Sequence, residues 1–302
     1  MIGKSPCVTV GMPVYNGEHY LRQSLDSLLS QTVDDFEIVI SDNASTDRTK
    51  EICSEYAEQD QRIRYFRNST NLGAARNYNR LIALAAGPYF RWAPADDVFA
   101  PTSLERCIEV LNAHPDVVLC YPKTILIDGD GNQLEPYEDK LDLRSQDPAV
   151  RYRQALQIGR ANAIYGLMRT DVLRMIAPLG SYPGADVDLL IELCLYGRYF
   201  EISEPLYFRR MHAGAYSSLT TLKDRQMFFD PTTCGKLHLS HWKRLCVRLA
   251  AVWRAPVGLR ARLTISYKLV RGAVTSRKEF VNEVVQILRT KGPKRWLEDQ
   301  SG

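Results

Sequence analysis

The sequence predicts an α/β fold: a mostly parallel, Rossmann-like sheet with helices on both faces, followed by a basic helical extension. Three observations carry this. β-branched apolar runs alternate four times with segments of helical periodicity within about the first hundred residues, the pattern that builds parallel sheets. The segments after those runs carry amides or carboxylates at Asp42-Asn43, Asn71 and Asp96-Asp97. Charge is also divided unevenly along the chain. Residues 223–302 hold 17 Lys+Arg against 6 Asp+Glu, a net of +11, which leaves 22 against 29 and a net of −7 for residues 1–222.

Taken in order, Cys7–Pro13 reads as a buried first strand stopped by Pro13, with Tyr15-Asn16-Gly17 as a turn. Asn16 is expected to cap a helix carrying Tyr20, Leu21, Leu25, Leu28 and Leu29. A second strand, Phe36–Ser41, runs into Asp42-Asn43, and Ser45-Thr46-Asp47 opens a helix through Ile52, Cys53 and Tyr56. Ile63–Phe66 is a short third strand; Asn71-Leu72-Gly73 leads into a helix closed by Gly87-Pro88. The fourth strand, Tyr89–Trp92, breaks at Pro94, because proline cannot donate to a sheet ladder. Beyond it the spacing predicts a helix over 102–114, strands at 117–121 and 163–169, and an irregular mobile loop over 132–148. A helix opening at Gly184-Ala185-Asp186 and strands at 200–202 and 205–208 complete this region.

A chain of 302 residues has room for a substantial core. Met1–Pro6 lacks the apolar region of a secretory signal, and no run reaches the ~18 apolar residues of a membrane span. The seven cysteines form no CxxC pair, so buried reduced thiols and a cytoplasmic location are expected. Neither GxGxxG nor GxxxxGK[ST] is present, which removes the main support for dinucleotide and P-loop sites.

Ligands of open α/β sheets bind at the carboxyl ends of the strands. Asp42 there can accept hydrogen bonds from a base or ribose, Tyr15 offers a stacking face, and Arg76 can reach a base or phosphate. Adjacent side chains on an extended segment point apart, so Asp97 can take a divalent ion while Asp96 faces something else. Simpler readings stand beside these: an acidic turn opening the helix after Pro101, a packed Tyr15, a surface Arg76.

Val8–Asn16, Ser41-Asp42-Asn43-Ala44-Ser45-Thr46-Asp47, Asn71–Asn77 and the acidic Ala95-Asp96-Asp97 together resemble glycosyltransferase family 2. The resemblance is strong over residues 7–100 and extends more weakly to about 215. It implies a GT-A fold, a nucleotide-sugar donor that is most often UDP-linked, Mn²⁺ or Mg²⁺, inversion at the anomeric carbon, and by family habit a place in surface polysaccharide or glycoconjugate synthesis. It assigns Pro13, Tyr15, Asp42, Asn71 and Arg76 to the nucleotide, Ala95 and Asp96 to the ribose or sugar, and Asp97 to the metal. Asp186 matches the aspartate of the family's Glu-Asp base motif, and His212 the metal-completing histidine of its Tyr-Arg-x-His ending. Three positions depart from the pattern. Pro94 stands where many members carry an acid, Ala185 replaces the glutamate, and Arg209 replaces the tyrosine.

The expectation is a catalytic domain over 1–222, with a nucleotide half to about 100 and an acceptor half beyond, and a helical extension over 223–302. The acceptor is a glycan or a lipid-linked saccharide. Leu237, Leu245 and Leu249 are apolar positions of the first of three basic amphipathic helices, which Pro256 breaks; Leu259 and Phe280 begin the other two. Such helices fit packing on the catalytic domain or a second subunit, or peripheral contact with an anionic membrane. Nucleic acid is not expected, since no reader motif accompanies the charge. The alternatives are a sugar-phosphate nucleotidyltransferase, which would want a Gly-rich basic first loop, and a catalytically silent nucleotide-sugar or glycan-binding module.

Overall fold

The structure, a computed structural model, describes residues 5–233 and 239–290. Met1–Lys4, Cys234 and Leu237 lie outside the described residues. Contacts divide the chain into two compact units, residues 1–234 and 235–302.

In the first unit, β1 (Val8–Val14), α1 (Leu21–Leu29), β2 (Phe36–Asp42), α2 (Thr49–Gln59), β3 (Ile63–Arg67), α3 (Ala74–Leu84) and β4 (Tyr89–Trp92) alternate as expected. There follow β5 (Val98–Phe99), α4 (Ser103–Ala113), β6 (Val117–Ile127), β7 (Gln133–Tyr137), α5 (Pro148–Ala155), β8 (Leu167–Arg169), α6 (Thr170–Met175), α7 (Ala185–Leu193), β9 (Arg198–Arg210) and α8 (Leu222–Phe229). The second unit consists, within the described residues, of α9 (Ser240–Arg254), α10 (Leu259–Thr275) and α11 (Arg277–Thr290).

The strands form one sheet in the order β3-β2-β1-β4-β8-β6-β9-β5, with β7 paired to β6. The first four are mutually parallel, and the pairings Val14↔Asp42↔Arg67 and Gly11↔Trp92 bring their carboxyl ends to one edge. β1 and β2 are buried along their whole length, as strands covered on both faces must be. Val8, Val10, Met12, Ile38 and Ile40 share a core with Leu21, Leu25 and Leu28 of α1 and Leu104, Cys107 and Leu111 of α4. On the other face α3 covers β1 at Gly11, where a Cβ would stand 2.8 Å from the Phe90 ring and 3.0 Å from Leu81.

Local expectations differ from the structure at four places. Asn16 does not cap α1, whose N-cap is Tyr20; its side chain instead accepts from Thr46 N–H at 2.8 Å, pinning the first loop to the second. The 132–148 segment is not simply irregular, because Gln133–Tyr137 pairs antiparallel with β6 after a turn at Asp128–Asn132. Asn162–Tyr165 is a 3₁₀ turn and only Leu167–Arg169 is strand, with Gly166 between them against the Cys120 carbonyl. Residues 198–210 form one long strand, bent at irregular register around Pro205. Of the described cysteines, Cys53, Cys107, Cys120 and Cys194 are buried and free, whereas Cys246 is exposed.

Gly73 shows how sequence dictates a local approach. It caps α3 at φ +82°, and a Cβ there would lie 2.4 Å from the Phe229 carbonyl oxygen. Gly73→Ala is expected to cost about 1–3 kcal/mol in chemical denaturation, from left-handed backbone strain plus displacement of the chain after α8. Wild-type stability in that variant would mean that the 229–231 segment moves aside freely.

Candidate active site

Two loops are laced together at the carboxyl edge of the parallel strands. Asp42 is fully buried, and its oxygens accept from Ser45 N–H at 2.8 Å, Tyr65 Oη at 2.8 Å and Arg67 Nη1 at 3.0 Å. Arg67 also donates to the Ser45 carbonyl at 2.8 Å. The sequence expectation gave Asp42 to a ligand; in this state it also organises its own loop, and Tyr65 and Arg67 are partners that sequence reasoning did not single out.

Next to it lies a lattice of amides. Asn43 donates to Asn71 Oδ1 at 2.8 Å and accepts from Leu72 N–H and Asn68. Asn68 reaches Asn77, whose amide donates to the Ser41 carbonyl at 2.7 Å. Asn71 also accepts from Gly73 N–H at 2.8 Å, so it holds the start of α3. An amide both donates and accepts, which lets buried neighbours satisfy one another without adding net charge. Tyr15 and Arg76 stand at the edge of this region with exposed side chains, and Arg76 Nη2 lies 4.0 Å from Asp230. Pro13 pairs with Ser41 in the sheet.

The acidic motif is shaped from the far end of the chain. β5, immediately after Asp97, pairs antiparallel with β9 through Val98↔Phe208 and Phe99↔Tyr207. That pairing sets Asp97 against the end of β9. Asp97 is 4% exposed; Tyr207 Oη donates to one carboxylate oxygen, and Arg210 N–H donates to the other at 2.7 Å. Burial, and then the neighbouring Asp96 charge, push the Asp97 carboxyl up to about 7 despite those donors. Asp96 turns the opposite way. Its Oδ2 lies 2.9 Å from His212 Nε2, with 34% and 18% of the two side chains exposed. Arg210, buried, ties the assembly by donating to the Asp96, Asp128 and Gly129 carbonyls and stacking over Tyr20 at 4.5 Å. Ala95 precedes this pair, and the Pro94 carbonyl accepts from Ser24 Oγ.

Sequence reasoning gave the metal to Asp97 with His212. The structure brings His212 to Asp96 instead, and both Asp97 oxygens already accept hydrogen bonds. An accessible carboxylate oxygen beside an imidazole nitrogen is a donor set that suits Mn²⁺. Among the described residues no group of three His, Cys, Asp or Glu side chains forms a metal cage, so any ion here needs oxygens from elsewhere.

Arg209 was legible in the sequence only as a mismatch. Its guanidinium donates to Asn162 and acts electrostatically on Asp96, Asp97, Asp139 and Asp186. Asp186 sits in the first turn of α7, and burial raises its carboxyl above the ordinary range. Asp188, two residues on, is buried and accepts from Tyr182 Oη at 3.1 Å.

Solved structures share this architecture. S. aureus TarS 1-349 in complex with UDP-GlcNAc superposes with a TM-score of 0.65 at 16% identity, covering 95% of this chain and 82% of that one. A mannosyltransferase from Pyrobaculum calidifontis, in complex with GDP-Man and Mn²⁺, gives 0.54 at 16% identity over 96% and 89%. The fold is GT-A. The family model for Glycosyl transferase family 2 matches residues 9–167, more than half of the chain, and the chain belongs to that family. Among curated relatives, an uncharacterized glycosyltransferase of Methanocaldococcus jannaschii is 34% identical over 142 residues, 46% of this chain and 49% of that protein. EpsH of Bacillus subtilis is 30% identical over 186 residues, 58% and 52% respectively. The chain thus spans about half the length of the curated relatives it matches.

The raised Asp97 carboxyl has a stability consequence with a definite sign. Unfolded, it ionises near 3.8; folded, near 7. Between those values the folded chain holds a proton that the unfolded chain has released, so this group's stabilising contribution falls as pH rises through that window. In EDTA, denaturation is expected to show a decline in stability from about pH 4 to about pH 7, and Asp97→Asn to flatten it. An undiminished slope in the variant would assign the decline to other groups, Asp139 first, which burial also raises to about 7.

Proposed function

We propose that this chain is an inverting glycosyltransferase that moves a sugar from a UDP-sugar to a hydroxyl of a glycan or lipid-linked acceptor. The observation that carries the reading is the Asp96–His212 couple, 2.9 Å apart, held beside the carboxyl edge of the parallel strands. Tyr15 stacks on the base, while Asp42 and Pro13 line its pocket. Asn71 fixes the loop from which Arg76 reaches the nucleotide. The UDP-GlcNAc of the TarS structure and the GDP-Man and Mn²⁺ of the mannosyltransferase support a nucleotide-sugar donor.

Asp96 and His212 would hold a divalent ion, Mn²⁺ or Mg²⁺, together with the donor's own oxygens. Bound there, the ion offsets the charge of the diphosphate. In this reading Asp97 is the anchor that orients Asp96, held inward by burial and by hydrogen bonds from Tyr207 and the Arg210 N–H. Arg209 adds a resident positive charge where negative charge develops on the leaving diphosphate.

Asp186 is the general base. It accepts the proton of the acceptor hydroxyl as that oxygen bonds to the anomeric carbon and the carbon–oxygen bond to the diphosphate breaks on the opposite face. A carboxylate raised by burial is a stronger base once ionised, and it loses that role as pH falls through its raised pKa. kcat/KM is therefore expected to fall on the acid side. The chemistry suits assembly of surface polysaccharide or glycoconjugates.

Calorimetry of UDP binding tests the donor site. Binding in Mn²⁺ is expected to disappear with EDTA and in Asp96→Ala. Asp186→Asn should keep UDP binding while turnover drops by about 10²–10⁴-fold. UDP failing to bind under every condition would sink the UDP assignment and turn the search to GDP and dTDP.

A further inference from the structure

We propose that the helical unit α9–α11 is a docking surface for anionic lipid membranes, with α10 as its apolar contact stripe. The inference does not depend on the identity of the donor. It starts from exposure. Among the described residues, eleven of the seventeen exposed large apolar side chains lie beyond residue 234, in less than a quarter of the chain.

On α10 they are not scattered. Leu259, Leu263, Tyr267, Val270 and Val274 are 62%, 55%, 65%, 49% and 59% exposed. At roughly 100° per residue they fall within an arc of about 80°. Ile265, 1% exposed, lies on the opposite side of the same helix. The helix is therefore apolar on two faces, one packed and one bare. A helix that merely packs within its own unit needs only the first. Aromatic side chains extend the bare surface, with Trp253 on α9 half exposed and Tyr267 in the stripe itself, and both suit a water–hydrocarbon boundary.

Charge selects the occupant. Residues 259–275 contain Arg260, Arg262, Lys268 and Arg271 and no acid. Over 240–290 the count is 11 Lys+Arg against 2 Asp+Glu. Those two acids, Glu279 and Glu283, are both turned to His241, at 3.3 Å and 2.7 Å. The apolar stripe thus belongs to a helical segment with a net positive charge, and its own helix carries four basic residues and no acid. A second copy meeting the same face would bring like charges together, and a nucleic acid would match the charge while leaving the stripe in water. An anionic bilayer surface satisfies both features. No helix among the described residues is long and apolar enough to cross a membrane, so the contact is interfacial.

The test is flotation of the full-length protein with vesicles of phosphatidylcholine alone and of phosphatidylcholine containing one-third phosphatidylglycerol. Flotation is expected with the anionic vesicles only, weakening as salt rises. The double variant Leu263→Glu, Tyr267→Glu should cut the bound fraction by at least about tenfold. The triple variant Arg260→Ser, Lys268→Ser, Arg271→Ser should abolish the preference for anionic lipid. None of the five is among the residues assigned to the nucleotide, so unchanged UDP calorimetry and an unchanged melting profile would show that the variants fold. Flotation with neither vesicle, or flotation that the variants leave intact, overturns the proposal. A sedimentation-velocity dimer that Leu263→Glu dissociates, without vesicle binding, also overturns it and gives the stripe to a second copy. Vesicle binding by a protein that fails to bind UDP would leave this proposal standing and count only against the donor assignment.

Discussion

The candidate site depends on one buried carboxylate. Asp97 is held by a phenol hydroxyl and a main-chain N–H, both from β9, more than a hundred residues along the chain. Burying a carboxylate costs several kcal/mol unless hydrogen-bond donors or counter-charges replace its water. That requirement ties the loop after β4 to β9, and β9 runs parallel to β6 for most of its length. The clamp also sets the direction of Asp96. With its neighbour fixed inward, the Asp96 carboxylate emerges on the other side of the chain, where the residues following β9 deliver His212.

The carboxyl edge of the parallel strands solves its polar problem differently. Ser41, Asn43, Asn68, Asn71 and Asn77 satisfy one another, while Asp42 is answered by Tyr65 and Arg67. Loops fixed by neutral amides hold their shape without raising the local negative charge. An anionic ligand at such an edge benefits from that restraint, because added carboxylates would repel it.

Much of this was legible in the sequence, for identifiable reasons. Parallel strands announce themselves as uninterrupted β-branched runs, and their polar ends are fixed by local punctuation, so Asp42, Asn71 and the acidic pair could be read from neighbouring residues. Which of two adjacent aspartates faces inward could not. That depends on Tyr207 and Arg210, whose approach is set by a two-residue strand too short to show any pattern. Asn16 looked like a helix cap for a similar reason: a capping amide and a loop-pinning amide have the same local sequence, and only the position of Thr46 separates them. The apolar periodicity of α10 was equally visible, but periodicity counts apolar positions without saying which of them a neighbour covers.

The three departures from the family pattern share one electrostatic sense. Pro94 and Ala185 each put a neutral residue where the pattern has an acid, and Arg209 puts a cation where it has a tyrosine. Each change makes the surroundings of Asp96, Asp97 and Asp186 less negative. The structure shows why the arginine can be tolerated in so enclosed a position. Asn162 and the Arg160 carbonyl accept its hydrogen bonds, and four carboxylates share its field. Without that guanidinium the same carboxylates would repel one another through a poorly hydrated space, and their ionised forms would be harder to hold. Arg209 is therefore a structural counter-charge for the acids before any ligand arrives.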